Sequence, residues 1–240
     1  HHGPHVLEPV TLVTGIEEYF QSEALLTLPS GFVRNFYYTL KTQRFVVLAG
    51  RPGTGKTAFA RAFSEALANQ FPESVCEVVV SVGQDFGDSD IIGYEKIAGG
   101  LAPTELTKRL FLEGRQKSLF VVVLDEMNMA HVDYYLARIL PAIESDAPVE
   151  LPGQSASTLL PSDTFFIGTV NSFLDETTRV PLSGPVKRRA NIIVMPNVLD
   201  IILGEDDRKR FAASIKSLLK RSLKSCRRRG NTALPSILDG

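Results

Sequence analysis

Residues 50–57 read GRPGTGKT, directly after the apolar run RFVVLA and directly before an Ala- and Phe-rich segment. Strand, glycine loop and helix in that order constrain the fold more than any other stretch, because the loop joins the end of a core strand to the first turn of a helix. Gly50, Gly53 and Gly55 let the backbone turn its N–H groups inward, where a Cβ would obstruct an anion. Lys56 brings positive charge to β- and γ-phosphates, and the Thr57 hydroxyl is suited to magnesium. The helix starting there points its positive dipole end at the same anion. Arg51, Pro52, Thr54 and Ala58 belong to the same nucleotide-binding set. A glycine-rich turn without a ligand accounts for neither Lys56 nor Thr57.

Around this loop the chain alternates apolar, β-branched runs with helical patterns. The runs at 45–49, 78–82, 119–124, 165–170 and 192–195 are short enough for strands buried on both faces, and five of them predict a parallel sheet between helices. Helices are predicted over 57–68 and over 132–143, with Pro141 kinking or ending the second. The fold class is therefore α/β, layered. With 44% apolar residues and 26 basic against 27 acidic side chains among 240, the chain reads as one large globular domain with a small appendage. Its longest apolar runs fall far short of the roughly 20 residues of a membrane helix, and no secretory signal opens it, so a cytoplasmic protein without membrane contact is expected. Cys76 and Cys226 stand far apart with no CxxC, which supports neither a disulfide nor a zinc site. The opening HHGP resembles a tag remnant, so residues 1–5 are set aside, 6–198 form the α/β core, and 199–240 form a short C-terminal helical lid. Within that lid, 208–229 pattern as an amphipathic basic helix.

Three further positions carry chemistry. The run SLFVVVL ends in Asp125 and Glu126, two carboxylates at the C-terminal edge of the sheet, where ligands of open α/β sheets bind. Asp125 is suited to hold magnesium with Thr57, and Glu126 to orient or deprotonate an attacking water. The run TFFIGTV ends in Asn171, which reaches the same edge if the strands are neighbours and then positions the water with Glu126. Arg188 and Arg189 precede the last apolar run without a close acidic neighbour in sequence. An unpaired guanidinium is costly to bury, so one of them is expected to serve another chain. His131 lacks a second ligand at metal spacing and reads as a helix-start residue.

Together, NFYYTLKTQRFVVLAGRPGTGKT, FGDSDIIGYEK, DEMNMAHVDYYLARILPAIES and FFIGTVNSFLDETT resemble an AAA+ NTPase, and in their flanks its McrB-like branch, the motor subunits of modification-dependent restriction systems. The resemblance covers roughly residues 28–196. It implies a P-loop NTPase core, magnesium, ATP or GTP as substrate, and a ring of identical subunits, usually six, with nucleotide between neighbours. It implies a McrC-like nuclease partner, with DNA engaged through that partner or through a domain outside this sequence. The arginine finger falls at Arg189, with Arg188 the second choice. The segment 147–163 sits where the family carries a pore-directed hairpin, although a solvated loop is the reading from residues alone. The base pocket is expected near LPSGFVRNFYY, and no guanine signature of the NKxD type occurs. The family's acidic residue lies closer to the Asn than Asp175 does here, and the RRRG at 227–230 is a weak candidate for a lid arginine. Two other classes stay open: a MoxR-like chaperone or remodelling ATPase acting on protein, and an assembly module that switches with nucleotide without sustained turnover.

Overall fold

A computed structural model describes residues 9–24, 26, 28–113, 119–171 and 180–197. In chain order its elements are α1 (Pro9–Ser22), α2 (Phe32–Thr42), β1 (Phe45–Gly50), α3 (Lys56–Gln70), β2 (Val75–Ser81), α4 (Asp88–Ile91), β3 (Gly93–Glu95), β4 (Leu101–Pro103) and α5 (Glu105–Thr107). A π-turn at Lys108–Leu112 follows, then β5 (Leu119–Asp125), a 3-10 turn at Met127–Met129, α6 (Val132–Tyr135), α7 (Leu140–Ser145), β6 (Thr164–Asn171), α8 (Gly184–Arg189) and β7 (Asn191–Val194). The chain divides into two compact units, His1–Pro196 and Asn197–Gly240. The lid assigned to 199–240, its basic helix, the RRRG, Cys226, Asp175 and residues 1–5 lie outside the described residues.

All five predicted strands join one sheet in the order β2-β5-β6-β1-β7, and every pairing is parallel. Period-2 alternation splits their side chains between two cores, as a strand covered on both faces requires. Val46, Leu48, Val121, Val123, Phe165 and Ile167 meet α1, α2 and α3 on one side, while Val47, Val122, Leu124 and Phe166 meet Tyr135, Leu136 and Ile139 on the other. The α/β fold with a five-stranded parallel sheet is thereby established.

Two departures from expectation have local causes. The helical pattern over 132–143 is broken into α6 and α7, with the break before Pro141 rather than at it. Proline cannot donate to the preceding turn and its ring crowds that turn's carbonyl, so it sits instead in the first turn of α7, where no donor is needed. The antiparallel hairpin of β3 and β4 was not predicted, because three-residue strands leave too short an apolar pattern. The segment 147–163 makes a second, minimal hairpin through one bridge, Val149 to Thr158, and buries Val149, Leu151 and Leu160 in the core. The two hairpins touch at Gly153, where a Cβ would lie 2.9 Å from Glu95 Cγ.

The helix behind the glycine loop is anchored by aromatic packing. On α2, Val33, Phe36, Tyr37 and Leu40 share one face at helical spacing and are buried. Phe36 meets Phe59 and Phe63 of α3 edge-on, each at 4.8 Å between ring centroids, and Phe20 and Phe32 meet Phe59 at 5.1 and 5.4 Å. Phe59 is fully buried at the hub of this cluster, three residues beyond Lys56. Phe59→Ala should cost about 3–5 kcal/mol of stability through the cavity it leaves. Urea unfolding of the variant beside the parent measures this, and a loss below about 1 kcal/mol would show that the hub is not what holds α3.

Candidate functional site

The phosphate loop leaves the sheet at Gly50 and turns through Gly53 (φ 76°) and Gly55 (φ 82°), both in the left-handed region that glycine enters without a Cβ penalty. Gly55 is also tightly covered: a Cβ there would lie 3.0 Å from Leu26 Cδ2. Helix α3 then starts at Lys56. The lysine is buried, and its Nζ donates to the carbonyls of Gly50 (3.0 Å) and Arg51 (2.8 Å), which hold the ammonium over the loop. Thr54 Oγ1 donates to the same Arg51 carbonyl at 2.9 Å, closing the turn.

The two carboxylates reach the loop because β6 lies between β1 and β5. In register Gly50 stands opposite Asn171, and Leu124 opposite Gly168, so the three strand ends converge. Thr57 Oγ1 donates to Asp125 Oδ1 at 2.6 Å, and Thr169 Oγ1 donates to the same oxygen at 2.7 Å. Glu126 follows with φ 53° and ψ 40°, a left-handed conformation uncommon for a residue with a side chain. Its backbone N–H donates to Thr169 Oγ1 at 2.9 Å, while its Oε1 accepts from Asn171 Nδ2 at 3.0 Å. The Met127 side chain then lies close over β6: a Cβ on Gly168 would fall 2.1 Å from Met127 Sδ, so any larger residue there would have to displace that side chain. Tyr135 Oη donates to the Met127 carbonyl at 2.8 Å, and burial pushes its phenol pKa upward, which keeps that donor protonated.

A cavity of about 320 Å³ gathers Pro52, Gly53, Gly55, Lys56, Thr57 and Ala58 from the loop with Asp125, Glu126, Thr169 and Asn171 from the strand ends. Gly50, Arg51 and Thr54 do not line it; Gly50 and Arg51 contribute carbonyls to Lys56, and Thr54 braces the turn. Thr169 is the site residue that sequence reasoning missed. It stands two residues before Asn171 in one strand, and that spacing places both on the same face. The donor set suits magnesium, since the Thr57 hydroxyl and Asp125 carboxylate are hard oxygen groups within hydrogen-bond distance of each other. Among the described residues no group of three or more His, Cys, Asp or Glu stands at metal-binding spacing. His131 takes the position before α6 and lies against the ring of Tyr134.

Arg188 and Arg189 end α8. Arg189 Nε pairs with Glu144 Oε2 of α7 at 2.6 Å and its guanidinium also donates to the Pro185 carbonyl at 3.3 Å. The acidic partner that the neighbouring sequence lacks thus arrives from 45 residues upstream. Arg188 is exposed and forms no ion pair among the described residues.

Among the described residues no helix is long and apolar enough to cross a membrane. The Lon protease of Methanosarcina barkeri (strain Fusaro / DSM 804) is 24% identical over 180 residues, covering 68% of this chain and 21% of that protein. The Lon protease of Metamycoplasma arthritidis (strain 158L3-1) is 28% identical over 132 residues, covering 53% of this chain and 15% of that protein. The chain therefore spans about a fifth or less of the length of these relatives. The family model of the AAA domain, dynein-related subfamily, matches residues 45–200, which include every element of the site. With phosphate loop, paired carboxylates and strand-end asparagine assembled at one edge of the sheet, the chain belongs to the dynein-related AAA domain family, within the AAA+ class.

Proposed function

We propose that this chain is the magnesium-dependent NTPase core of a ring-forming motor of the McrB-like type, acting with a McrC-like nuclease subunit on DNA. The observation that carries the hydrolytic part is the contact of Asn171 Nδ2 with Glu126 Oε1, one residue from the Asp125–Thr57 pair. Lys56 binds the β- and γ-phosphates, exchanging the Gly50 and Arg51 carbonyls for phosphate oxygens. Thr57 and Asp125 are the residues that would hold magnesium, which when bound neutralises charge building on the transferred phosphoryl group. Glu126 takes the proton of the attacking water as the bond to the γ-phosphorus forms and the bond to the bridging oxygen breaks. Asn171 keeps the carboxylate turned toward that water.

A subunit ring supplies the remaining charge. Arg189 is half-buried and its partner Glu144 is more than half exposed, so their bridge contributes on the order of 1 kcal/mol or less. A trans-acting arginine is worth roughly a thousandfold in turnover, about 4 kcal/mol. The neighbour's γ-phosphate therefore outcompetes Glu144, and the bridge within the subunit does not disqualify Arg189. Arg188 stays the second choice.

The McrB-like reading is supported by the sequence stretches flanking the motifs. The second reading is a MoxR-like remodelling ATPase acting on protein; the relatives named as Lon proteases, matched over a fifth or less of their length, favour neither reading over the other. Stimulation of hydrolysis by DNA or by a nuclease subunit distinguishes the first from the second, and competition between ATP and GTP in the same assay assigns the base. A protein that binds nucleotide and assembles but shows no steady-state turnover would be a switch instead.

Two predictions test the site. Lys56→Ala should abolish nucleotide binding, whereas Glu126→Gln should keep binding and lower turnover a hundredfold or more. Parent-level hydrolysis by assembled Glu126→Gln would remove Glu126 from its role. Arg189→Ala and Lys56→Ala subunits, each inactive alone, should recover activity when mixed, because an intact nucleotide site then meets an intact finger. Absence of recovery in demonstrably mixed rings would overturn the trans assignment, and parent-level turnover by an Arg188→Ala/Arg189→Ala double variant would exclude both arginines.

A further inference from the structure

Thr169 is almost fully buried at 1% exposure, yet its hydroxyl makes two hydrogen bonds, both to the paired carboxylate residues. Their directions are dictated by chemistry. The Glu126 backbone N–H can only donate, so the hydroxyl oxygen accepts from it, and the hydroxyl hydrogen is left for Asp125 Oδ1, which as a carboxylate oxygen can only accept. One small side chain thus satisfies a donor and an acceptor that lie on either side of the Asp125–Glu126 peptide.

That peptide needs holding. Glu126 sits at φ 53°, where the side chain of an L-residue meets steric resistance, and relaxation toward ordinary backbone angles would swing its carboxylate away from Asn171. The Thr169 bond to the Glu126 N–H restrains the backbone, and the Asn171 bond to Oε1 restrains the far end of the same side chain. Strand β6 presents both groups from one face. We propose that Thr169 is a positioning residue for hydrolysis: through its hydroxyl it fixes the backbone from which Glu126 projects and the orientation of Asp125, and it acts through those two residues. This rests on the hydrolytic reading of the site and adds to it a determinant of turnover as distinct from binding.

The test compares Thr169→Val, Thr169→Ala and Thr169→Ser with the parent and with Glu126→Gln, measuring melting temperature, kcat, nucleotide affinity and the magnesium midpoint of activity. Thr169→Val and Thr169→Ala should lower kcat roughly tenfold to a hundredfold and raise the magnesium midpoint, as loss of an outer-shell partner does, while nucleotide affinity changes less than about threefold. Thr169→Ser, which keeps the hydroxyl and loses only a methyl group, should restore most of kcat. Parent-level kcat in Thr169→Val overturns the proposal, as does a parallel fall in affinity and kcat or a failure of Thr169→Ser to rescue. Should Val and Ala both fail to fold while Ser folds, the hydroxyl serves the fold rather than catalysis, and the proposal is likewise overturned. If parent and Glu126→Gln turn over equally, the hydrolytic reading itself fails, a result separable from any behaviour at Thr169.

Discussion

One acceptor atom joins the parts of this site. Asp125 Oδ1 receives hydroxyl hydrogens from Thr57, in the first turn of α3, and from Thr169, in the middle of the sheet. Those hydroxyls come from positions 68 and 44 residues away in sequence, so the contact exists only when three strands and a helix are all in place. Because β6 separates β1 from β5, the loop-bearing strand and the carboxylate-bearing strand stand two strand spacings apart, roughly 10 Å. That spacing sets the loop and Glu126 apart across the sheet edge, with Asn171 of the intervening strand between them.

The strand set was legible because the three central strands, β5, β6 and β1, are buried on both faces and read as continuous apolar runs, while the edge strands β2 and β7 keep enough β-branched residues to carry the same signal. The candidate site residues were legible for the complementary reason: Asp125, Glu126 and Asn171 break those runs at the edge where the sheet meets solvent. Thr169 escaped the same logic. It lies inside the run TFFIGTVN, where a threonine is an ordinary strand former, and only the pairing of β6 with β5 turns its hydroxyl into a partner for Asp125 and Glu126 at once. The short hairpin of β3 and β4 was illegible because three residues carry no period.

The arginines show where local reading reaches its limit. No acidic partner stands beside them in sequence; Glu144 is delivered by α7, and α7 is itself fastened by Arg44, which donates to the carbonyls of Ala142 and Ile143 and to Asp146 Oδ1. A charged residue's surroundings are a property of the tertiary fold, whereas an apolar run carries its burial within itself. What survives from the local reading is a matter of magnitude: a bridge open to water holds a guanidinium too weakly to fix its destination.

The aromatic hub has a consequence for where the folding unit begins. The family match opens at Phe45, with the first strand, but Phe20, Phe32 and Phe36 lie upstream of it and cover Phe59 on the helix that starts at Lys56. A fragment trimmed to the family boundary would keep α3 on that side of the sheet but would bare the apolar face of α3 and the part of β1 that α1 and α2 now cover, including Val46 and Leu48. Such a piece would carry the phosphate loop, Asp125, Glu126 and Asn171, yet would aggregate through the face it exposes. The smallest part of this chain able to hold a phosphate loop in shape is therefore larger than the part by which its kinship is recognised.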